Sequence, residues 1–351
     1  CGDEEVTTQR ELDSLAVDAA TDSVDGIFAT DGNVSATTGV SGTNPVPTGN
    51  GGFTTNFTAW PAEFGGTTPS YNGAVDPSGT PWYNWSSYPS ILTNGTTSAF
   101  TGGMTLDTVR ANVTANTTWN ANTTYYLEGR IFVEPGATLT IEAGTVIKGL
   151  PGTGEDASAL VVARGAMLMA NGTATDPITF THAADANGGL APTVRGQWGG
   201  LIILGSGVLN TSPNVQQIEG IPTTEPLGEY GGSDAADNSG TITYVSIRHG
   251  GSDIGEGNEI NGLTLGGVGS GTTINNVEVI GNKDDGIEWF GGSVNSSNML
   301  VIFCGDDSFD YDQGFTGKTA LSIIHQDATS GGADRGGEHD GGTSPEDGTP
   351  Y

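Results

Sequence analysis

Short apolar runs separated by glycine-containing turns dominate the chain from about residue 105 onward. The stretch TTYYLEGRIFVEPGATLTIEAGTVIKG, residues 123–149, contains three such runs, and ALVVARGAMLMANGTATDPITFTHA, residues 159–183, repeats the plan. Gly, Thr, Asn, Ser and Val are abundant, whereas the residues that favour helices are scarce. This pattern predicts many short strands joined by tight turns.

A repeat with a constant offset organises the later part of the chain. NVEVIGNKDDGIEWFGG, residues 276–292, aligns with NMLVIFCGDDSFDYDQG, residues 298–314, at an offset of 22 residues. A weaker third copy, ALSIIHQDA, follows at residues 320–328. A fixed period of this length with several short strands per period indicates a solenoid. We therefore predict an all-β fold, a right-handed parallel β-helix over residues 105–351.

The N-terminal part has a different composition and predicts two further units. Residues 1–50 are rich in Asp, Thr, Ser and Gly, and they bury too little apolar surface to form a core, so we expect a flexible tether. Residues 51–104 hold 10 of the 26 aromatic residues. We interpret this segment as an aromatic-rich cap over the first turn of the solenoid. The other interpretation is a carbohydrate-binding surface, because aromatic faces pack on sugar rings; its candidates are Trp60, Trp82 and Trp85.

The charge of the chain restricts its partners. With 10 basic residues against 41 acidic ones the formal net charge is −31. Such a chain repels nucleic acid and attracts divalent cations. A strongly acidic surface also serves simple solvation in a saline habitat, so charge alone does not establish a metal site.

The repeat stacks acidic residues on one another. Side chains alternate between the two faces of a strand, so Ile287 and Trp289 should point into the coil and Glu288 should point out. In the next copy Phe309 and Tyr311 take the inward positions. Neighbouring strands lie about 4.8 Å apart, so each acid should lie over its equivalent 22 residues later. The pairs are Glu288 with Asp310, Asp284 with Asp306, and Asp285 with Asp307.

Stacked carboxylates need an explanation, because two of them at this distance repel by roughly 3–4 kcal/mol at an effective dielectric constant of 20. Calcium supplies one, since it takes six to eight hard oxygen ligands. The alternatives are fully solvated acids and catalytic acids. The candidate calcium ligands are Asp284, Asp285, Glu288, Asp306, Asp307, Asp310 and Asp312.

Several modification signals indicate an extracellular protein. The chain begins CGDEE, and this start resembles that of a mature bacterial lipoprotein whose Cys1 carries the lipid. We expect the membrane to be contacted through that lipid alone. The tripeptides that begin at Asp13, Asp22 and Asp107 resemble the Asp-Ser/Thr-apolar O-glycosylation signal of Bacteroidota, which makes Ser14, Ser23 and Thr108 the candidate acceptors.

The combined motifs resemble a known family. The segments IEGIPTTEPLGEYGGSDAADNSGTITYVSIRHGG, GNEINGLTLGGVGSGT, DDGIEWFGGSVN and DDSFDYDQGFTGK are similar to those of the large right-handed β-helix surface lipoproteins of Bacteroidota-type bacteria. The resemblance implies an extracellular β-helix on the outer membrane, and it implies little about chemistry. Members of the family usually continue beyond SPEDGTPY. The final turn should therefore be covered by a continuation of the chain, by a polar lid or by another copy.

Two functions remain open. The first is a non-enzymatic surface protein that adheres to extracellular polysaccharide or to a neighbouring cell-surface protein, or that assembles with copies of itself. The second is a calcium-dependent polysaccharide lyase, in which Lys283 or Arg248 would act as the base. The scarcity of basic residues speaks against the lyase.

Overall fold

The structure is a computed structural model that describes residues 26–28, 34–35, 75, 79–255, 258–327 and 335–339. The tether, Cys1, Ser14, Ser23 and Trp60 lie outside this part, apart from two short strands within residues 1–50. In chain order the strands are β1 (Gly26–Phe28), β2 (Val34–Ser35), β3 (Thr105–Val109), β4 (Thr117–Trp119), β5 (Thr123–Leu127), β6 (Arg130–Val133), β7 (Thr138–Ile141), β8 (Val146–Gly149), β9 (Ala159–Val162), β10 (Met167–Asn171), β11 (Ile178–His182), β12 (Leu201–Leu204), β13 (Gln216–Gln217), β14 (Glu229–Tyr230), β15 (Gly240–Arg248), β16 (Asp253–Gly255), β17 (Asn258–Glu259), β18 (Leu263–Gly266), β19 (Thr273–Ile280), β20 (Ile287–Phe290), β21 (Asn295–Ile302), β22 (Phe309–Asp312), β23 (Thr319–Ala320), β24 (Ser322–His325) and β25 (Glu338–His339). The helices are α1 (Tyr88–Asn94) and the 3-10 turns Trp82–Trp85, Gly154–Asp156 and Pro226–Gly228.

The strands wind into the predicted parallel β-helix, and this coil has three faces. The first face contains β4, β7, β10, the N-terminal halves of β15, β19 and β21, and then β23. The second contains β3, β5, β8, β11, the C-terminal halves of the same three strands, and then β24. The third contains β6, β9, β12, β18, β20, β22 and β25. At the C-terminal end, β1 pairs antiparallel with β24.

The predicted 22-residue register is confirmed. Ile287 pairs with Phe309 and Trp289 with Tyr311 on the third face, and Val279 pairs with Val301 on the second. The third copy is displaced by one residue more, because Leu300 pairs with Ile323. Ile287, Trp289 and Phe309 lie in the interior core, so the predicted inward phase of these strands is confirmed too.

A column of left-handed residues makes the corner between the first and second faces. Tyr244, Asn276, Asn298 and Leu321 occupy equivalent positions in successive turns of the coil, and their φ angles lie between 51° and 57°. Asparagine accepts this conformation more easily than other residues with a side chain. The amide of Asn298 donates to Oδ1 of Asn276 at 3.3 Å, so the column is also joined by a hydrogen bond.

In the described part of the chain, two segments pack on apolar side chains on the outside of the coil. Residues 205–239, here named the covering segment, lie on the third face, where Leu209, Ile218, Ile221 and Tyr230 pack with outward apolar residues such as Phe290. Burial of these side chains contributes roughly 1.5–3 kcal/mol each relative to exposure. The strand pattern alone does not predict this layer, because the outward positions of the third face mix apolar and acidic residues.

The second cover is the aromatic-rich segment, and here the sequence interpretation needs correction. Its described part packs Tyr83, Tyr88 and Ile91 against Ile280 and Leu300 on the outside of the second face. These described residues therefore lie beside the later turns of the coil and not over the first one. The reason is the apolar outer surface of β19, β21 and β24, which needs a partner of this kind.

Candidate functional site

The predicted acidic ladder lies at the corner that leads into the third face. Because Leu263, Ile287 and Phe309 are in register, the residues two positions earlier, Asn261, Asp285 and Asp307, form a column. The backbone N–H of Gly262 donates to the carbonyl of Asp285 at 3.0 Å, and that of Gly286 donates to the carbonyl of Asp307 at 2.9 Å. The backbone therefore fixes the spacing of the column.

A second column runs along the outer side of the third face. Thr264, Glu288, Asp310 and Glu338 are paired in register through β18, β20, β22 and β25. The prediction that Glu288 points away from the core is correct. The expected exposure to water is wrong, since the side chain of Glu288 is only 7% exposed. The covering segment lies over it and excludes solvent.

The covering segment adds a carboxylate that the sequence did not reveal. The amide of Asn261, itself fully buried, donates to Oε1 of Glu219 at 3.3 Å and to Oε2 of Glu288. Neither Glu219 nor Asn261 belongs to the 22-residue repeat. The only available signal was the position of Asn261 immediately before the Gly-Leu pair that opens β18, which corresponds to Asp285 before Gly286.

Burial and mutual repulsion hold protons on these acids when no cation is present. Burial, followed by the charge of Asp284, raises the pKa of Asp285 to about 9. Burial, again followed by Asp284, raises the pKa of Glu219 to about 7. The pKa of Glu288 is raised well above its usual value, first by burial and then by Glu219. Burial and a hydrogen bond with Glu338 raise the pKa of Asp307 to about 7.

Among the described residues, two groups of three carboxylates are close enough to share a cation. Their ligand atoms lie within 4.8 Å of one another. The corner group consists of Asp284, Asp285 and Asp306, and the covered group consists of Asp285, Glu288 and Asp310. Asp285 belongs to both. Of the seven predicted ligands, Asp307 and Asp312 lie outside both groups.

The two groups differ in their access to water. In the corner group Asp306 is exposed, Asp284 is half-buried and Asp285 is only 8% exposed. In the covered group Glu288 is buried and Asp310 half-buried beneath the covering segment. A cation in the corner group would keep open coordination positions, whereas one in the covered group would be enclosed by protein.

The two predicted bases have very different surroundings. Arg248 is 1% exposed, and its guanidinium donates to Ser246 at 2.8 Å and to the carbonyl of Ser98 at 2.9 Å. It also lies 3.6 Å from Glu278. Its role as a base is therefore contradicted, because it is a buried structural cation. Lys283 is exposed beside the corner group.

The remaining candidates are dispersed. Trp85 is 8% exposed and packs edge-on against Tyr244, so its ring faces are not available to a sugar, and that prediction is wrong. Trp82 is half-buried and contacts Tyr83. Thr108 is half-buried in the edge strand β3.

Comparisons with known proteins give one match. No curated protein and no solved structure matches the chain. Within the described ranges, no helix has both the length and the apolar character that crossing a membrane requires. A family model described as a pectate-lyase-like β-helix domain matches residues 111–350, about two thirds of the chain. This range contains every strand of the coil from β4 to β25 and both carboxylate groups. The chain belongs to this pectate-lyase-like β-helix family.

Proposed function

We propose that the protein is a non-enzymatic β-helix of the cell surface that binds extracellular carbohydrate through calcium held at the corner group. The observation that carries this proposal is the gradient of exposure from Asp285 through Asp284 to Asp306. The buried end fixes the ion, and the open end leaves it in contact with the surroundings.

Calcium fits the corner group by charge and by ligand type. Three carboxylates within 4.8 Å of one another repel strongly unless a cation or protons lie between them. Calcium prefers such oxygen ligands and tolerates irregular geometry. With one oxygen from each, the three carboxylates supply fewer than the six to eight oxygens that calcium takes. Water completes the shell, and a sugar hydroxyl or carboxylate exchanges readily for that water.

The surroundings of the acids favour binding over catalysis. Glycosidases place their two carboxyl groups roughly 5–5.5 Å apart, or roughly 6.5–9.5 Å apart when a water must enter between them. In the corner group one oxygen of each carboxylate lies within 4.8 Å of the others, which lets all three contact a single cation. Arg248 is engaged in the interior, which leaves Lys283 as the one predicted base for the alternative, a calcium-dependent polysaccharide lyase.

The test compares carbohydrate binding in calcium and in chelator. Immobilised acidic and neutral polysaccharides should retain the wild-type chain in calcium and release it on chelation. Asp306→Asn should weaken retention, since it removes the exposed ligand, whereas Glu155→Gln, an exposed carboxylate remote in sequence from the corner, should leave it unchanged. Retention that is indifferent to calcium and to Asp306→Asn contradicts the proposal.

The same samples test the alternative. A lyase produces unsaturated sugar, which absorbs in the ultraviolet, when it is incubated with uronate polymers. We expect no rise in absorbance. A rise that Lys283→Met abolishes, with carbohydrate retention intact, replaces the binding proposal with the lyase.

The cellular setting is part of the proposal. Lipid on Cys1 would display the domain on the bacterial outer membrane, where polysaccharide or a neighbouring surface protein is the partner, with self-association as a further mode. Mass spectrometry of the N-terminal peptide from cell envelopes tests the lipid, and light scattering over a range of concentrations tests the self-association.

A further inference from the structure

The covered group points to a second cation site with a different purpose. The covered group of Asp285, Glu288 and Asp310 lies beside Glu219 of the covering segment, because the amide of Asn261 donates to both Glu219 and Glu288. Glu219 and Asn261 are 42 residues apart in the chain, so a ligand shared by both would connect two separate layers. Clustered acids alone do not identify a metal site. The buried amide of Asn261 provides evidence of a different kind.

Asn261 has an unfulfilled acceptor in the interior. The side chain is fully buried, and its Oδ1 has no hydrogen-bond partner. A buried carbonyl oxygen without a partner costs about 1–3 kcal/mol, and such atoms in native proteins call for an explanation. The amide nitrogen faces Glu219 and Glu288. A half-turn of the planar amide group exchanges its oxygen and nitrogen with almost no change in shape.

We infer that a hard divalent cation, with calcium as the best fit, binds in the covered group and fastens the covering segment to the third face. Glu219, Glu288, Asp285 and Asp310 provide carboxylate oxygens, and the turned amide of Asn261 provides its Oδ1. Without the ion, the amide donates to Glu219 and Glu288 and keeps the same side chains together. With the ion, the unpartnered oxygen becomes a ligand.

The covering segment has reason to need such a connection. Its apolar contacts are supplemented by a few polar ones, including the hydroxyl of Tyr230 donating to Gln313 at 2.8 Å and Arg164 pairing with Glu229 at 3.0 Å. These contacts lie near β14, and the turn around Glu219 is attached through Ile218, Ile221 and a hydrogen bond that the guanidinium of Arg130 donates to the carbonyl of Gly220 at 3.0 Å. An ion at Glu219 would fix that turn. This site is independent of carbohydrate binding, because the ion would be enclosed.

Two measurements on the full-length chain test the inference. The first is calcium content by elemental analysis after gel filtration. Glu288→Gln should lose the calcium of the covered group and hold one calcium fewer per chain than the wild type. Asp306→Asn should instead lose the calcium of the corner group and retain that of the covered group. The second is amide hydrogen exchange in residues 209–230. Calcium should slow it by about tenfold or more in the wild type and in Asp306→Asn, and it should have no effect in Glu288→Gln.

Glu219→Gln provides the second variant in case Glu288→Gln does not fold, since it alters only the half-buried ligand of the covering segment. Glu155→Gln is the matched control and should behave as the wild type does. Equal calcium content in the wild type, Glu288→Gln and Glu219→Gln overturns the inference, as does exchange in residues 209–230 that calcium leaves unchanged. A failure to bind carbohydrate would contradict only the proposal for the corner group. Asp306→Asn removes a ligand of that group alone and so distinguishes the two proposals.

Discussion

Oδ1 of Asp285 accepts a hydrogen bond from the backbone N–H of Asp307 at 2.8 Å, one turn of the coil further along. The same carboxyl group belongs to both the corner group and the covered group. Asp285 is thus a structural acceptor and a shared candidate ligand at once. Substitutions that separate these two roles distinguish the stability of the coil from the binding of cations.

Asp285→Asn should abolish the response to calcium without disrupting the coil. Asparagine keeps an Oδ1 acceptor for the N–H of Asp307 and removes the charge that both groups need. In chelator the variant should unfold at the same denaturant concentration as the wild type or a higher one, because the amide is neutral in both states, whereas Asp285 must take up a proton on folding at neutral pH. In excess calcium the wild type should gain about 2.7 kcal/mol for each site at a calcium concentration a hundredfold the dissociation constant, and the variant should gain nothing.

Asp285→Ala is the control for the structural role. It leaves the N–H of Asp307 buried without its partner, which should lower the free energy of unfolding by about 1–3 kcal/mol in chelator. Equal stability of the two variants in chelator would show that the hydrogen bond is unimportant. A preserved calcium response in Asp285→Asn would count against both cation sites.

Leu321→Asn should stabilise the protein. Leu321 has φ of 56° at the corner where Asn276 and Asn298 stand in the preceding turns. The left-handed conformation costs a residue with a side chain roughly 1–2 kcal/mol, and asparagine reduces this cost. We expect urea unfolding to show a gain of about 0.5–1 kcal/mol in the free energy of unfolding.

The reciprocal change, Asn298→Leu, removes the amide that donates to Asn276 and should lower the free energy of unfolding by about 1 kcal/mol or more. Effects of the same sign in the two variants would refute this account of the corner.

The coil itself could be predicted from the sequence because its determinants are local and repeated. The 22-residue offset fixes which residues stack, and alternation in β20 and β22 fixes which side chains point inward. Ile287, Trp289 and Phe309 therefore have the predicted surroundings. The two outer covers could not be predicted in the same way. They depend on contacts between segments far apart in the chain, such as Ser87 with Glu278, 191 residues later.

The candidate site was predicted in part for the same reason. The repeat identified Asp284, Asp285 and Asp306, but the burial of Glu288 arises from the covering segment, which has no counterpart in the repeat. Glu219 comes from that segment, and its approach to Asn261 is visible only in three dimensions. Arg248 was misassigned because its sequence context does not show the serines and the carboxylate that enclose it.

Arg248→Met should test that reassignment. The change leaves Glu278 as a buried charge without its cation and should lower the free energy of unfolding by about 3–5 kcal/mol. Arg110→Met is the matched control. Its guanidinium is 65% exposed and pairs with Glu128 at 2.8 Å, so we expect a loss of less than about 1 kcal/mol.

Adding Glu278→Gln to Arg248→Met should recover part of the stability, because glutamine retains an acceptor for the N–H of Ser87 and carries no charge. Urea unfolding of the two single variants and the double variant measures this interaction. A loss in Arg248→Met no larger than that in Arg110→Met would show that Arg248 does not stabilise the fold.

The dependence of stability on pH should change with calcium. In chelator the folded-state pKa values of Asp285, about 9, and of Glu219 and Asp307, about 7, lie above the usual values of aspartic and glutamic acid. The folded protein therefore binds protons that the unfolded chain has released. This contribution to stability is fully present below the unfolded pKa values, near pH 4, and is lost as the pH rises through the folded values.

The interval from pH 7 to pH 9 isolates this effect from the histidines. Burial lowers the pKa of His325 to about 4, and the unfolded histidine titrates near 6.5, so its contribution is complete above pH 7. The urea midpoint in chelator should thus decrease as the pH rises from 7 to 9. The decrease should be smaller in Asp285→Asn, which lacks the carboxyl group with a pKa of about 9. Saturating calcium should flatten the slope in the wild type, because bound carboxylates have already lost their protons. Identical slopes with and without calcium, at unchanged m values, would exclude these carboxylates as ligands.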